Sequence, residues 1–143
     1  MATVLFACVH NAGRSQMAAA FFNAMADPTK VRAVSAGTEP AAFVQPEVVA
    51  AMREVGIDLG GITPRLLTLA LAAQAVLLVT MGCGEACPFV AGVEWEDWDL
   101  PDPKGLPPER VPALRDEIRL RVKRLLTARG WQAAPSIPQH GRP

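Results

Sequence analysis

The stretch Val4-Leu5-Phe6-Ala7-Cys8-Val9-His10-Asn11-Ala12-Gly13-Arg14-Ser15 decides the fold. A short apolar run ends in a cysteine, five residues arc over, and an arginine and a serine open a helical pattern. Strand, loop and helix N-terminus in that order place a thiol inside a ring of backbone N–H groups. The ring runs from Val9 through His10, Asn11, Ala12 and Gly13 to Arg14 and Ser15. Such donors and the helix dipole attract an oxyanion, and the same field favours a thiolate over a thiol. Arg14 adds a planar fork able to hold two oxygens of a tetrahedral anion. Gly13 stands where the backbone is expected to turn tightly. A structural cysteine buried at a strand end would need neither that glycine nor the adjacent arginine.

Outward from this stretch, strands and helices alternate. Residues 2–8 read as a buried central strand, and Met17, Phe21, Ala24 and Met25 recur at helical spacing up to Asp27-Pro28. Val31 to Val34 is a second strand, with Ser35-Ala36-Gly37-Thr38 expected as a turn. Pro46 suits the first turn of a helix ending at Gly56, and Thr63-Pro64 has the look of an N-cap before a short helix over Leu66 to Ala73. Ala75 to Thr80 is apolar on both faces and so a buried strand; Val93 to Trp98 is a last one. Val111, Leu114, Ile118, Val122 and Leu125 stripe a final helix. Its Arg115, Arg119, Arg121, Lys123 and Arg124 read as a solvated face. The pattern predicts an α/β three-layer fold with a four-stranded parallel sheet, and ligands in such sheets bind outside the carboxyl ends of the strands.

Length and composition fit one catalytic domain, residues 1–130, followed by a proline-rich tail over 131–143 expected to be poorly ordered. Half of the residues are hydrophobic, and 14 Lys+Arg balance 14 Asp+Glu, so no overall field favours nucleic acid or a membrane surface. The chain is expected to be a monomer. No signal peptide or membrane span is visible, and three cysteines, an odd number, point to redox or metal chemistry in a reducing cytoplasm.

Cys83 and Cys87 lie in the loop Gly82-Cys83-Gly84-Glu85-Ala86-Cys87-Pro88, which looks light enough in side chains to move. They could be incidental, or join Cys8 and His10 as zinc ligands, or act with Cys8 as a thiol relay; the last is favoured. Residues four apart can reach the Cα separation a disulfide needs if the loop kinks. Asp97, Asp99 and Asp102 cluster further on, each a candidate proton donor to a departing oxygen, and Asp102 is stiffened between two prolines. His140, in the tail, reads as incidental.

The C-x5-R-S loop resembles the active-site loop of low-molecular-weight protein tyrosine phosphatases and of the arsenate reductases built on that fold. With Cys83/Cys87 and Asp102-Pro103, the chain from Val4 to about residue 129 resembles a thioredoxin-coupled arsenate reductase. The resemblance implies that Cys8 attacks arsenate held by residues 9–15 while Asp102, at the family's Asp-Pro position, protonates the leaving oxygen. Cys83 then takes the Cys8 sulfur, arsenite leaves, and Cys87 resolves the pair into a Cys83–Cys87 disulfide for thioredoxin to reduce. Asn11 is expected to brace the loop, Ser15 to donate to the Cys8 thiolate, and His10 to point outward. No cofactor is implied. Some members hold a potassium ion near the loop, but Ala19 and Arg65 stand at what look like its ligand positions, so no metal is expected. The close spacing of the pair also admits a low-molecular-weight thiol as reductant. The runner-up is a phosphatase acting on phosphotyrosine or another phosphomonoester; the added dithiol and the absence of tyrosine for an aromatic substrate wall weigh against it. A zinc- or oxyanion-binding sensor is the non-enzymatic alternative.

Overall fold

A computed structural model describes residues 1–83, 87 and 89–134. Gly84, Glu85, Ala86 and Pro88 of the cysteine loop, and residues 135–143 with most of the expected tail and His140, lie outside the described residues.

Four parallel strands form one sheet: β1 (Ala2–Cys8), β2 (Val31–Gly37), β3 (Leu77–Thr80) and β4 (Glu94–Asp97), in the order β2-β1-β3-β4. Strand order reverses direction at β1, so the crevice expected of such sheets opens where β1 and β3 end. Cys8 closes β1, and Gly82-Cys83 follows β3 by two residues. Both cysteine segments therefore meet at one edge.

Alternation along β1 divides the core into two layers. Val4, Phe6 and Cys8 face α1 (Arg14–Met25), α2 (Pro46–Arg53) and α4 (Val111–Arg129), where Phe22, Met52 and Ile118 are fully buried. Phe6 meets Phe22 edge-on at 5.8 Å between ring centres and Trp98 at 5.6 Å. Truncating a ring so enclosed costs about 3–5 kcal/mol, which makes this layer the main source of stability. Leu5 and Ala7 face the other way, with Leu78, Leu67 and Ala72 of the short α3 (Leu69–Ala73). Among the described residues, no helix is long and apolar enough to cross a membrane.

Several local expectations give way. Ser35, Ala36 and Gly37 extend β2 rather than turning, because each pairs with β1 up to Cys8 opposite Gly37. Gly37 is bare because the loop after Cys8 crosses it: a Cβ there would stand 2.5 Å from the Val9 carbonyl oxygen. The third helix starts at Leu69, not Leu66. Its N-cap is Thr68, whose hydroxyl accepts from the Leu71 N–H, while Leu66 makes a parallel bridge to Gly37. Arg115 is not on a solvated face. It is buried, donating to the Ala51 carbonyl at 2.8 Å and pairing with Glu54 and Asp116, so it clamps α2 to α4. Residues 131–133, expected in the tail, pack on α1: Trp131 meets Phe22 at 6.2 Å and its carbonyl accepts from Asp27, while Ala133 donates to Met25.

Candidate active site

The loop after β1 is built from the outside in. The carbonyls of Cys8, Val9, His10 and Ala12 accept from the N–H groups of Thr38, Glu39, Ala41 and Gln45, at 2.8 to 3.2 Å. The Asn11 carbonyl accepts from Gln16 Nε2 at 3.0 Å. Every carbonyl from 8 to 12 is thus tied away from the loop's interior, and because C=O and N–H oppose each other across a trans peptide, the N–H groups of residues 9–13 face the opposite way. The first N–H groups of α1 add to them, as helix N-termini leave theirs unpaired. The result is a cup of donors. The tight turn expected at Gly13 falls at Asn11, with φ 50°, a conformation asparagine tolerates better than most residues. Gly13 is bare for another reason: Pro103 Cγ would lie 2.5 Å from a Cβ there.

A hydrogen-bond chain runs through the buried side chains beneath the cup. Asn11 Oδ1 accepts from the Arg65 N–H and from Gln16 Nε2, both at 3.0 Å. Those bonds fix the amide, so its Nδ2 donates to Ser15 Oγ at 2.8 Å. Ser15 Oγ, already an acceptor, has its own proton free for Cys8 Sγ at 2.9 Å. That hydrogen bond fixes where the sulfur lies. Cys8 itself is buried and unpaired. Gln16, with no signature in the sequence pattern, is the member of this network that sequence reasoning missed. So is the 38–45 segment that holds the carbonyls.

Arg14 is buried at the mouth of the cup. Its Nη1 donates to the Leu100 carbonyl at 3.0 Å and its Nη2 lies 3.7 Å from Asp102 Oδ2. Asp102 is part-exposed, and its Oδ1 accepts from the Lys104 N–H at 2.9 Å, capping the turn that Pro103 begins. Asp97 points elsewhere, accepting from Thr80 Oγ1 at 2.6 Å, and Asp99 is exposed. Of the three carboxylates, the structure brings Asp102 to Arg14. A cleft of about 560 Å³ opens beside the cup between His10, Phe43, Pro46, Pro103 and Lys104. Phe43 is largely exposed there, so the cleft has an aromatic side chain although the chain has no tyrosine. His10 lines it too, its Nδ1 3.1 Å from the Glu39 carbonyl oxygen.

Cys83 and Cys87 are joined as a disulfide, their Cα atoms 5.5 Å apart. Cys83 is buried and Cys87 is part-exposed. Cys83 packs with Leu5, Ala7 and Leu78, the face of the sheet opposite Cys8, and its sulfur lies 4.0 Å from the Ala7 carbonyl oxygen. This arrangement does not assemble Cys8, His10, Cys83 and Cys87 as a zinc centre, and no cluster of three metal-ligating side chains occurs among the described residues. Ala19 and Arg65 do line one cavity, with Asn11 and Ser35, behind the cup.

A doubly wound parallel sheet thus carries a thiol in an N–H cup, with arginine and aspartate at its mouth. The chain belongs to the low molecular weight phosphotyrosine protein phosphatase family, whose profile matches residues 3–133. It is 36% identical over 126 residues to an arsenate reductase of Staphylococcus aureus, covering 85% of this chain and 93% of that one. It is 34% identical over 129 residues to the glutaredoxin arsenate reductase of Synechocystis, covering 88% and 97%. Among solved structures, the thioredoxin-dependent arsenate reductase of Corynebacterium glutamicum superposes with a TM-score of 0.78 at 34% identity. That match covers 90% of this chain, which spans 61% of that longer one.

Proposed function

We propose that the chain reduces arsenate to arsenite with three thiols and without a bound cofactor. The observation that carries this reading is a free Cys8 in the anion cup together with a disulfide between Cys83 and Cys87 at the neighbouring strand end. A cysteine pair at disulfide separation beside the cup is what the last step of a thiol relay needs.

In this reading arsenate occupies the N–H cup and the Arg14 fork. The Cys8 thiolate attacks arsenic(V), and one oxygen leaves as water with a proton from Asp102. Cys83 attacks the Cys8 sulfur; the electron pair of the S–As bond stays on arsenic, which departs as arsenite, and a Cys8–Cys83 disulfide remains. Cys87 then attacks Cys83, releasing the Cys8 thiolate and forming Cys83–Cys87. Two thiols have lost two electrons and arsenic has gained them, so the step balances without another oxidant. Because Cys83 packs on the far face of β1, it has to swing round the end of that strand to reach Cys8. Gly82, the residue before Cys83, supplies backbone freedom for that movement. A thioredoxin- or glutaredoxin-type dithiol protein then reduces the pair, and Cys87 is its more accessible sulfur.

The test is arsenate-dependent NADPH consumption with thioredoxin and its reductase, and in parallel with glutaredoxin, glutathione and glutathione reductase. Cys8→Ser, Cys83→Ser and Cys87→Ser all fail at multiple turnover, while Cys87→Ser still releases about one arsenite per chain. Full turnover by Cys87→Ser would remove the relay. The cleft bearing Phe43 also favours a secondary phosphomonoesterase activity, since phosphate shares the shape and charge of arsenate.

A further inference from the structure

Gly82 joins β3 to Cys83 and lies against the arginine of the cup. Its φ of +86° is in the left-handed region, and a Cβ there would run into Arg14 Nη1 and come within 3.2 Å of Cζ. Among the described residues, Gly56, Gly61, Gly92 and Gly130 share this backbone conformation, yet none has an atom within 4 Å of the place a Cβ would take. Gly82 alone among these five is bare for a neighbour's sake. That neighbour is buried, tied through Nη1 to the Leu100 carbonyl and 3.7 Å through Nη2 from Asp102. The guanidinium is thus bounded by a carbonyl, a carboxylate and the bare Cα of Gly82.

We infer that Gly82 is a positioning residue for Arg14: its missing side chain leaves the slot from which the guanidinium is aimed at a tetrahedral anion. The inference rests on the reading of Arg14 as the anion-holding fork. A methyl group at position 82 pushes Nη1 off the Leu100 carbonyl and turns the fork away from the cup. Anion affinity then falls although no anion-binding group has been removed.

The experiment titrates inorganic phosphate calorimetrically into the disulfide form of the full chain. Gly82→Ala is expected to weaken phosphate binding roughly tenfold or more, the loss that follows when a charge-assisted hydrogen bond is misdirected. Gly56→Ala, which carries the same backbone strain with no neighbour, lowers Tm but leaves phosphate affinity within about twofold. In an Arg14→Lys background, adding Gly82→Ala costs less than about twofold, because the group it displaces is gone. Unchanged phosphate affinity in Gly82→Ala, or an equal loss in the Arg14→Lys background, overturns the inference. Should Gly82→Ala not fold alone, adding Arg14→Ala empties the slot and restores the helical circular dichroism signal; no restoration overturns it as well. A wild-type chain that binds no phosphate, or an Arg14→Lys variant that binds it as tightly, brings down the reading of the cup itself and this inference with it.

Discussion

Ser15 Oγ stands 2.9 Å from Cys8 Sγ and receives the Asn11 amide on its other side at 2.8 Å, so its hydroxyl proton is directed at the sulfur. Ser15→Ala removes the donor and little else. The expected outcome is a fall of roughly ten- to a hundredfold in arsenite released per second in a single turnover, matching the loss of one hydrogen bond to a charged group.

Asn11→Asp tests the direction of the same chain. The retained Oδ1 still accepts from the Arg65 N–H, but the former donor becomes an acceptor facing Ser15. Ser15 then donates to the carboxylate rather than to Cys8. Single-turnover rate falls about as far as in Ser15→Ala, and the double variant Asn11→Asp/Ser15→Ala is no worse than Ser15→Ala alone.

Asp102→Asn separates the aspartate's two duties. An amide oxygen still accepts from the Lys104 N–H and keeps the turn capped, whereas the proton donor is gone. Thermal stability stays within a degree or two, and the first chemical step slows about a hundredfold, within the usual range for loss of a general acid. A rate equal to that of wild type would assign Asp102 to the turn alone.

Arg115→Met addresses stability without touching the cup. It removes the donor to the buried Ala51 carbonyl, and the hydrogen bond to Asp116, then that to Glu54, which hold the guanidinium above arginine's ordinary value. The partner carboxylates are exposed, so their pairing adds little, and most of the cost comes from the stranded carbonyl. Urea denaturation is expected to show a loss of about 1–3 kcal/mol, with KM for arsenate unchanged.

Asp27 gives the chain an acid-sensitive turn between α1 and β2. Its carboxylate accepts from the Thr29 hydroxyl at 2.7 Å and the Thr29 N–H at 2.9 Å, and these bonds, the hydroxyl's first, hold it below the usual carboxylate range. A carboxyl depressed in the folded state stabilises the fold above its unfolded value near pH 4 and loses that contribution as pH falls through the folded value. Wild type is therefore expected to exceed Asp27→Asn in urea midpoint at pH 6, and the gap to close progressively below about pH 4.

The cup was legible because its demands are local: Cys8, a glycine, Arg14 and Ser15 fall within one strand, one loop and the first turn of one helix. The sheet followed from apolar runs of strand length. What escaped depended on contacts between distant segments. Arg115 looks like its exposed neighbours in sequence, and only the approach of α2 buries it. Gly37 sits in a stretch rich in turn formers, so its place opposite Cys8 in the ladder could not be read from local preference. The same holds for Thr63 and Thr68: either can cap a helix, and the Leu66–Gly37 bridge decides between them. Cys83 carries no mark of which side of the sheet receives it.

That last placement has a spatial corollary. The sheet acts as a partition, with the oxyanion's doorway on the α2 flank, beside His10 and Phe43, and the disulfide lodged behind the opposite wall with α3. In the relay proposed above, a reductant reaching Cys87 would therefore approach from the α3 side, away from the opening through which the anion enters.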